Sequence, residues 1–324
     1  MIQRKKVALI FMSGTTLTHP DGTQTIIRSS GDVAPWIQIF PEIQMLADIV
    51  PLVVERDHTT SLQQSWKQVI QLIRANHRTF DSFAILHEDR DLTLTSAALT
   101  FGMPNMDDTI VVGSLGITPE TRIPRRDEAI LDSSDYVDVQ SHFINLIRAS
   151  LMPLHTIAIL DDYKIYRAHH ITRDPESGDL LPVSDQAALG TIDVLIEFQY
   201  GRRRRDDTYR FYDRFSERVG VYSWNDIEGI SPSIRDMQAI VIDARVNPET
   251  YNTYRQKLQS LHHPHAILVS PSLVLHVKGK KYLGRARLTF ESAVSKVMWM
   301  LEQGMHGPAL FRQLKLPLVG EVIR

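Results

Sequence analysis

Val7-Ala8-Leu9-Ile10-Phe11-Met12-Ser13-Gly14-Thr15-Thr16 is the stretch on which the reading of the fold turns. Five apolar residues in a row followed by a turn of hydroxyls and glycine have the composition of a strand that releases its chain into a site-forming turn. Arg4-Lys5-Lys6 in front of it mimics the start of a secretion signal, but the apolar part falls short of the roughly 7 to 15 residues such a segment needs. The stretch is therefore read as the opening strand.

Working outward, short apolar runs alternate with longer segments of helical spacing, the pattern of strands joined by crossover helices in a largely parallel sheet. Leu52-Val53-Val54 precedes Leu62, Trp66, Val69, Ile70 and Ile73, an amphipathic stripe that Thr60 or Ser61 can cap. Phe83 to Leu86, Thr109 to Val112 and Thr156 to Leu160 read as further buried strands, with a helix marked by Phe143, Ile144, Leu146 and Ile147 between the last two. Pro175, Gly178, Pro182 and Gly190 give the stretch from Asp174 to Gly190 a linker composition. Beyond it, Ile192 to Phe198, Ala239 to Asp243 and Ala266 to Val269 read as strands of a second, smaller sheet. A helix carrying Tyr251, Tyr254 and Leu258 lies among them, and the final helix begins at Thr289 with Glu291 in its first turn, where a negative charge suits the helix dipole. The expected organisation is α/β: a large doubly wound domain over 1–185, a linker and first strand of the second domain over 186–200, and a smaller α/β domain over 201–324.

Composition agrees with two soluble domains. The chain has 324 residues, 43% hydrophobic and 23% charged, which excludes disordered and collagen-like classes. A net charge of −2 exerts no general pull on nucleic acid or anionic membrane, and no window approaches the roughly 18 apolar residues of a membrane span. The absence of cysteine removes disulfides, cysteine-ligated zinc and thiol catalysis, and a reducing cytosol suits such a chain, so a cytoplasmic location is expected. No cofactor is called for by any motif.

Several separate stretches together resemble the bacterial L-asparaginase family. The opening strand and its turn resemble the family strand ending in Thr-Gly-Gly-Thr. Asp57-His58-Thr59-Thr60 running to Trp66 resembles the family's Asp-Ser-x-Asn segment, and His87-Glu88-Asp89-Arg90-Asp91-Leu92 with Ser96-Ala97-Ala98-Leu99 resembles its His-Gly-Thr-Asp-Thr-Met block and following helix. Gly113-Ser114, His142 to Ala149, Asp161 to Arg173, Asn247-Pro248 and Thr289-Phe290-Glu291-Ser292-Ala293 with Lys296 complete the series.

The resemblance implies an asparaginase-like fold and hydrolysis of asparagine or glutamine by two threonines, the second working with an aspartate and a lysine to move protons. On that register the nucleophile is Met12, the second threonine Asp89, the aspartate Arg90 and the lysine Arg173. A thioether has no proton to give up and cannot form and release an acyl intermediate. Arg173 stays charged where a lysine can be tuned to act as a base. Arg90 reverses the charge that binds an α-ammonium group, so free asparagine becomes a poor ligand, and Asp89 is expected to pair with Arg90 and Arg173. The ligand-binding positions implied are Asp57, His58, Glu88, Asp89, Arg90 and Asn247. The resemblance also implies a dimer or tetramer of identical chains.

These residues support a scaffold that has lost asparagine hydrolysis and binds a small polar ligand or a protein partner. The alternative is an amidohydrolase acting on another amide, with Ser13, Thr15 or Thr16 as displaced nucleophile and Asp89 or His58 as base; hydroxyls are also common at such turns for capping. His87, His169 and His170 with Glu88, Asp89 and Asp91 lack any metal-ligand spacing and read as hydrogen-bonded histidines, so no metal is assigned. Arg202-Arg203-Arg204-Arg205, with Tyr209, Arg210, Phe211 and Tyr212, has a nucleic-acid-like mixture, but Asp206, Asp207 and Asp213 dilute it and favour a protein interface. Arg122, Arg125 and Arg126 form a second candidate docking stretch.

Overall fold

The computed structural model describes residues 4–12, 16–18, 24–38, 41–55, 60–87, 89–106, 108–114, 133–192, 196–198, 209–229, 233–246, 266–270, 273–278 and 281–322. They form two compact units: 1–96, 105–168 and 188–209 make the first, and 97–104, 169–187 and 210–324 make the second.

The first unit is built on an eight-stranded sheet. Its parallel part comprises β1 (Lys6–Met12), β4 (Asp48–Val54), β5 (Ser82–His87), β6 (Thr109–Ser114) and β7 (Ile157–Asp161), in the spatial order β4-β1-β5-β6-β7. A small hairpin of β2 (Thr16–Thr18) and β3 (Gln24–Ile26) follows β1. The opening strand forms as predicted and lies inside the sheet between β4 and β5, with six of its seven residues buried. Helices α1 (Ser30–Gln38) and α2 (Pro41–Leu46) join β1 to β4, α3 (Leu62–Asn76) joins β4 to β5, and α5 (Ser133–Ser150) precedes β7. Val7, Leu9 and Phe11 share one core with Val33, Ile37, Ile43, Phe143, Leu146 and Ile147, so α1, α2 and α5 cover one face of the sheet. Period-two alternation turns Ala8, Ile10 and Met12 to the other face. The predicted stripe of α3 is buried at Trp66, Val69, Ile70 and Ile73, and Ser61 is the cap, its hydroxyl accepting from the Gln64 N–H at 3.2 Å.

The far edge of this sheet departs from the sequence expectation. β8 (Lys164–Arg167), β11 (Ala188–Ile192) and β12 (Ile196–Phe198) extend it antiparallel beyond β7, so Ile192 and Ile196–Phe198 belong to the first sheet and do not open the second. The stretch expected to be a linker is also structured. Asp174 to Gly178 closes a hairpin between β9 (Ile171–Arg173) and β10 (Leu180–Pro182) before β11 begins. Its Pro and Gly residues are turn residues of short strands, and composition alone does not distinguish those from a linker.

The second unit holds a five-stranded sheet in the order β13 (Val219–Ser223), β14 (Ala239–Asp243), β15 (Ala266–Ser270), β16 (Leu273–Lys278), β17 (Lys281–Ala286), with the first three parallel. Ile240, Ile242, Ala244, Ala266 and Leu268 pack with Trp224 and Ile234 in its core. Helices α6 (Phe290–Glu302) and α7 (Gly307–Leu314) follow. Thr289, where the last helix was expected to begin, is the cap of α6, its hydroxyl accepting from the Ser292 N–H at 3.0 Å. The helix predicted around Tyr251, Tyr254 and Leu258 lies outside the described residues.

Candidate functional site

In an open parallel sheet ligands bind outside the carboxyl ends of the strands where the strand order reverses. Here that reversal is at β1, whose chain leaves for β4 on one side before returning to β5 on the other. Two residues end those strands. Met12 ends β1, paired in register with Val54 of β4 and 1% exposed. His87 ends β5, opposite Ser114 of β6 and 3% exposed.

His87 belongs to a buried polar chain. Trp66 Nε1–H donates to Thr95 Oγ1 at 3.0 Å, and Thr95 Oγ1 lies 2.9 Å from His87 Nε2. Thr95 sits on α4 (Leu92–Gly102), behind the 3₁₀ turn Asp89–Asp91, and is itself fully buried. With the indole proton on one lone pair, the hydroxyl exchanges its remaining hydrogen bond with the imidazole. The chain ties α3, α4 and β5 together behind the turn.

A second histidine lies along the same edge. The face of α5 meets β6 so closely that a Cβ on Gly113 would come within 3.0 Å of Leu146 Cδ1 and 3.1 Å of His142 Nε2. Burial holds the His142 pKa below the ordinary histidine value against a weaker upward pull from Asp162, and Nε2 has no hydrogen-bond partner among the described residues.

The second unit carries a charged cluster around β9. Arg245 forks onto Asp243, Nε to Oδ1 at 2.9 Å and Nη2 to Oδ2 at 2.7 Å, and lies over the Phe290 ring at 4.7 Å. Its Nη1 donates to Thr172 Oγ1 and to the Arg173 carbonyl. Glu291 accepts from Thr172 Oγ1 at 2.7 Å and from the Arg173 N–H at 3.0 Å, with Arg245 Nη1 4.0 Å away. Burial pushes the Glu291 carboxyl up, opposed by Arg245 and both hydrogen bonds. Burial also works against the Arg245 charge, but Asp243, Glu291 and Asp174 outweigh it and raise its pKa. The cluster fixes the main chain of Thr172 and Arg173 from two sides. The Arg173 guanidinium itself donates from Nη1 to the Gly178 carbonyl at 2.5 Å.

No protein-family model matches the chain. Over 183 residues it is 24% identical to L-asparaginase 1 of Escherichia coli (strain K12), and equally to L-asparaginase 1 of Escherichia coli O157:H7. The match takes in 54% of this chain and 49% of each relative, so it spans about half the length of those curated proteins. The structure superposes on L-asparaginase I from Vibrio cholerae O1 biovar eltor with a TM-score of 0.71 at 14% identity, covering 99% of this chain and 100% of that one. For the thermostable L-asparaginase from Thermococcus kodakarensis the TM-score is 0.68 at 14% identity, with 98% and 99% covered.

The chain has the fold of the L-asparaginases.

The asparaginase register places the expected positions unevenly. Met12 is buried at the end of β1, Asp89 opens the 3₁₀ turn, Arg90 is exposed within it, and Arg173 ends β9. The side chain of Asp89 lies outside the described residues, and with it the expected pairing to Arg90 and Arg173. Ser13, Thr15, Asp57, His58, Glu88, Asn247, Arg202 to Arg205, Arg122, Arg125 and Arg126 also lie outside them, as does the side chain of Thr16. Of the histidines weighed as ligands, His87 is bound to Thr95, and His170 to the Gly320 carbonyl and Ser184. Among the described residues no group of three or more His, Asp or Glu is placed to hold a metal, and no helix is long and apolar enough to cross a membrane. Sequence reasoning missed the Arg245 cluster. Its one local signal was Asp243-Ala244-Arg245 directly after a buried strand, the spacing that returns a guanidinium onto a strand-end carboxylate.

Proposed function

We propose that this asparaginase-fold chain has lost asparagine hydrolysis and serves as a scaffold for a small polar ligand or a protein partner. The observation that carries the reading is Met12, 1% exposed at the end of β1, beside the point where the sheet order reverses. A sulfur without a proton stands where acyl transfer needs a hydroxyl. The hydrogen bond from Arg173 to Gly178 agrees with this, since a permanently charged guanidinium held by a carbonyl moves no proton. The purified chain is expected to release no ammonia from L-asparagine or L-glutamine; release at the rate of an ordinary asparaginase would overturn the reading.

The names of the curated relatives support retained amide hydrolysis, and the second reading is an amidohydrolase for which we propose another amide as substrate and Ser13 or Thr15 as nucleophile. It requires an acyl-enzyme detectable by mass spectrometry during a substrate screen. We further assign self-association as dimer or tetramer, and Arg202 to Arg205 as a protein-docking run. A stable hetero-complex lost on replacing those arginines tests the last.

A further inference from the structure

Lys296 of α6 is fully buried, and its ammonium has an acceptor for each of its protons: the Leu314 carbonyl at 3.1 Å, the Leu316 carbonyl at 2.6 Å and the Glu321 carboxylate. Glu321 is fully buried too, and also takes the N–H groups of Leu318 at 3.0 Å and Val319 at 2.9 Å. This saturated ion pair folds residues 315–322 back as a strap against α6.

The strap reaches a second buried group. Gly320, at φ +94°, turns its carbonyl to His170 Nε2 at 2.9 Å. A carbonyl only accepts, so Nε2 carries a proton, and Nδ1 meets Ser184 Oγ at 3.0 Å. The His169 ring packs edge-on against His170 with centroids 4.6 Å apart, and the His169 carbonyl accepts from Ser292 Oγ at 3.1 Å. His170 directly precedes β9, the strand of Thr172 and Arg173.

We propose that residues 315–322 are a latch on the start of β9: docked through Lys296–Glu321 and Gly320–His170, the strap holds the His169–His170 turn that leads into β9, and its release loosens that end of the strand. The contacts make the docked state sensitive to a single change, because removing one member of a buried ion pair leaves an uncompensated charge. The consequence for ligand binding rests on the site reading above; the coupling itself rests on these contacts alone.

Hydrogen exchange of the full chain, read by mass spectrometry, tests it without any ligand. Glu321→Gln should raise exchange by about tenfold or more both at 315–322 and at 168–174, leaving 82–87 in β5 unchanged. Coupling is reciprocal, so His170→Phe should deprotect 315–322 from the other end, while His170→Gln, which keeps an N–H for the Gly320 carbonyl, should preserve protection. Exchange rising at 315–322 alone in Glu321→Gln, or a protected strap in His170→Phe, overturns the latch. The histidine pair decides the matter should Glu321→Gln fail to fold. Ammonia release from L-asparagine would end the scaffold reading and leave the latch standing, so the two failures are separable.

Discussion

At the scale of single residues, what matters is which protons the side chains hold. Met12 has none to offer at the end of β1. Burial of His142, on α5 against Gly113, lowers its pKa. Its folded pKa lies below the ordinary value of about 6.5, so as pH falls the unfolded chain takes up the proton first and the native state loses stability. That loss begins near the unfolded value and ends once the native ring also titrates. The urea midpoint of the native chain is therefore expected to drop more between pH 7.5 and 5.5 than that of His142→Gln, which titrates at neither pH. Parallel curves for the two proteins would remove His142 from the acid response. His77, also lowered by burial, titrates in both proteins and so cancels in the comparison.

At the scale of elements, close approach separates two glycines. At Gly190 a Cβ would lie 2.2 Å from the Glu197 carbonyl oxygen and 2.7 Å from Phe198 Cα, both main-chain atoms of the paired β12. Gly113 would meet only side-chain atoms, at 3.0 and 3.1 Å, which can rotate away. Gly190→Ala is thus expected to cost about 3 kcal/mol and to unpair β12, against about 1 kcal/mol for Gly113→Ala, measured by urea unfolding and by exchange at 188–198. Equal costs would mean that β11 and β12 are not paired in solution. Much at this scale was legible in sequence. The stripe from Leu62 to Ile73 and the caps Ser61 and Thr289 act within a few residues and predicted α3 and the start of α6. Ile192 to Phe198 was assigned to the wrong sheet, and most of β11 was read as linker, because a five-residue and a three-residue strand carry no mark of the partner they will pair with.

At the scale of the whole molecule, acyl transfer requires a nucleophile, a base and an oxyanion site in register, supplied by distant parts of the chain. Restoring one is not enough. Met12→Thr is expected to leave ammonia release from L-asparagine at background, because the positions of Asp89, Arg90 and Arg173 still carry the wrong charges; a coupled ammonia assay checks this, and activity restored by that substitution alone would show the rest of the machinery to be intact. The sequence by itself determined the alternation of strand and helix, the parallel sheet and the identity of Met12, since each follows from side-chain type and local spacing. Only the tertiary structure decided that Glu291, read as a partner of a helix dipole, instead receives Thr172, 119 residues away, and that Lys296 is matched by Glu321. The physical reason is range: periodicity and capping act over a turn or a pleat, whereas the partner of a buried charge is chosen when the closing fold removes water from around it.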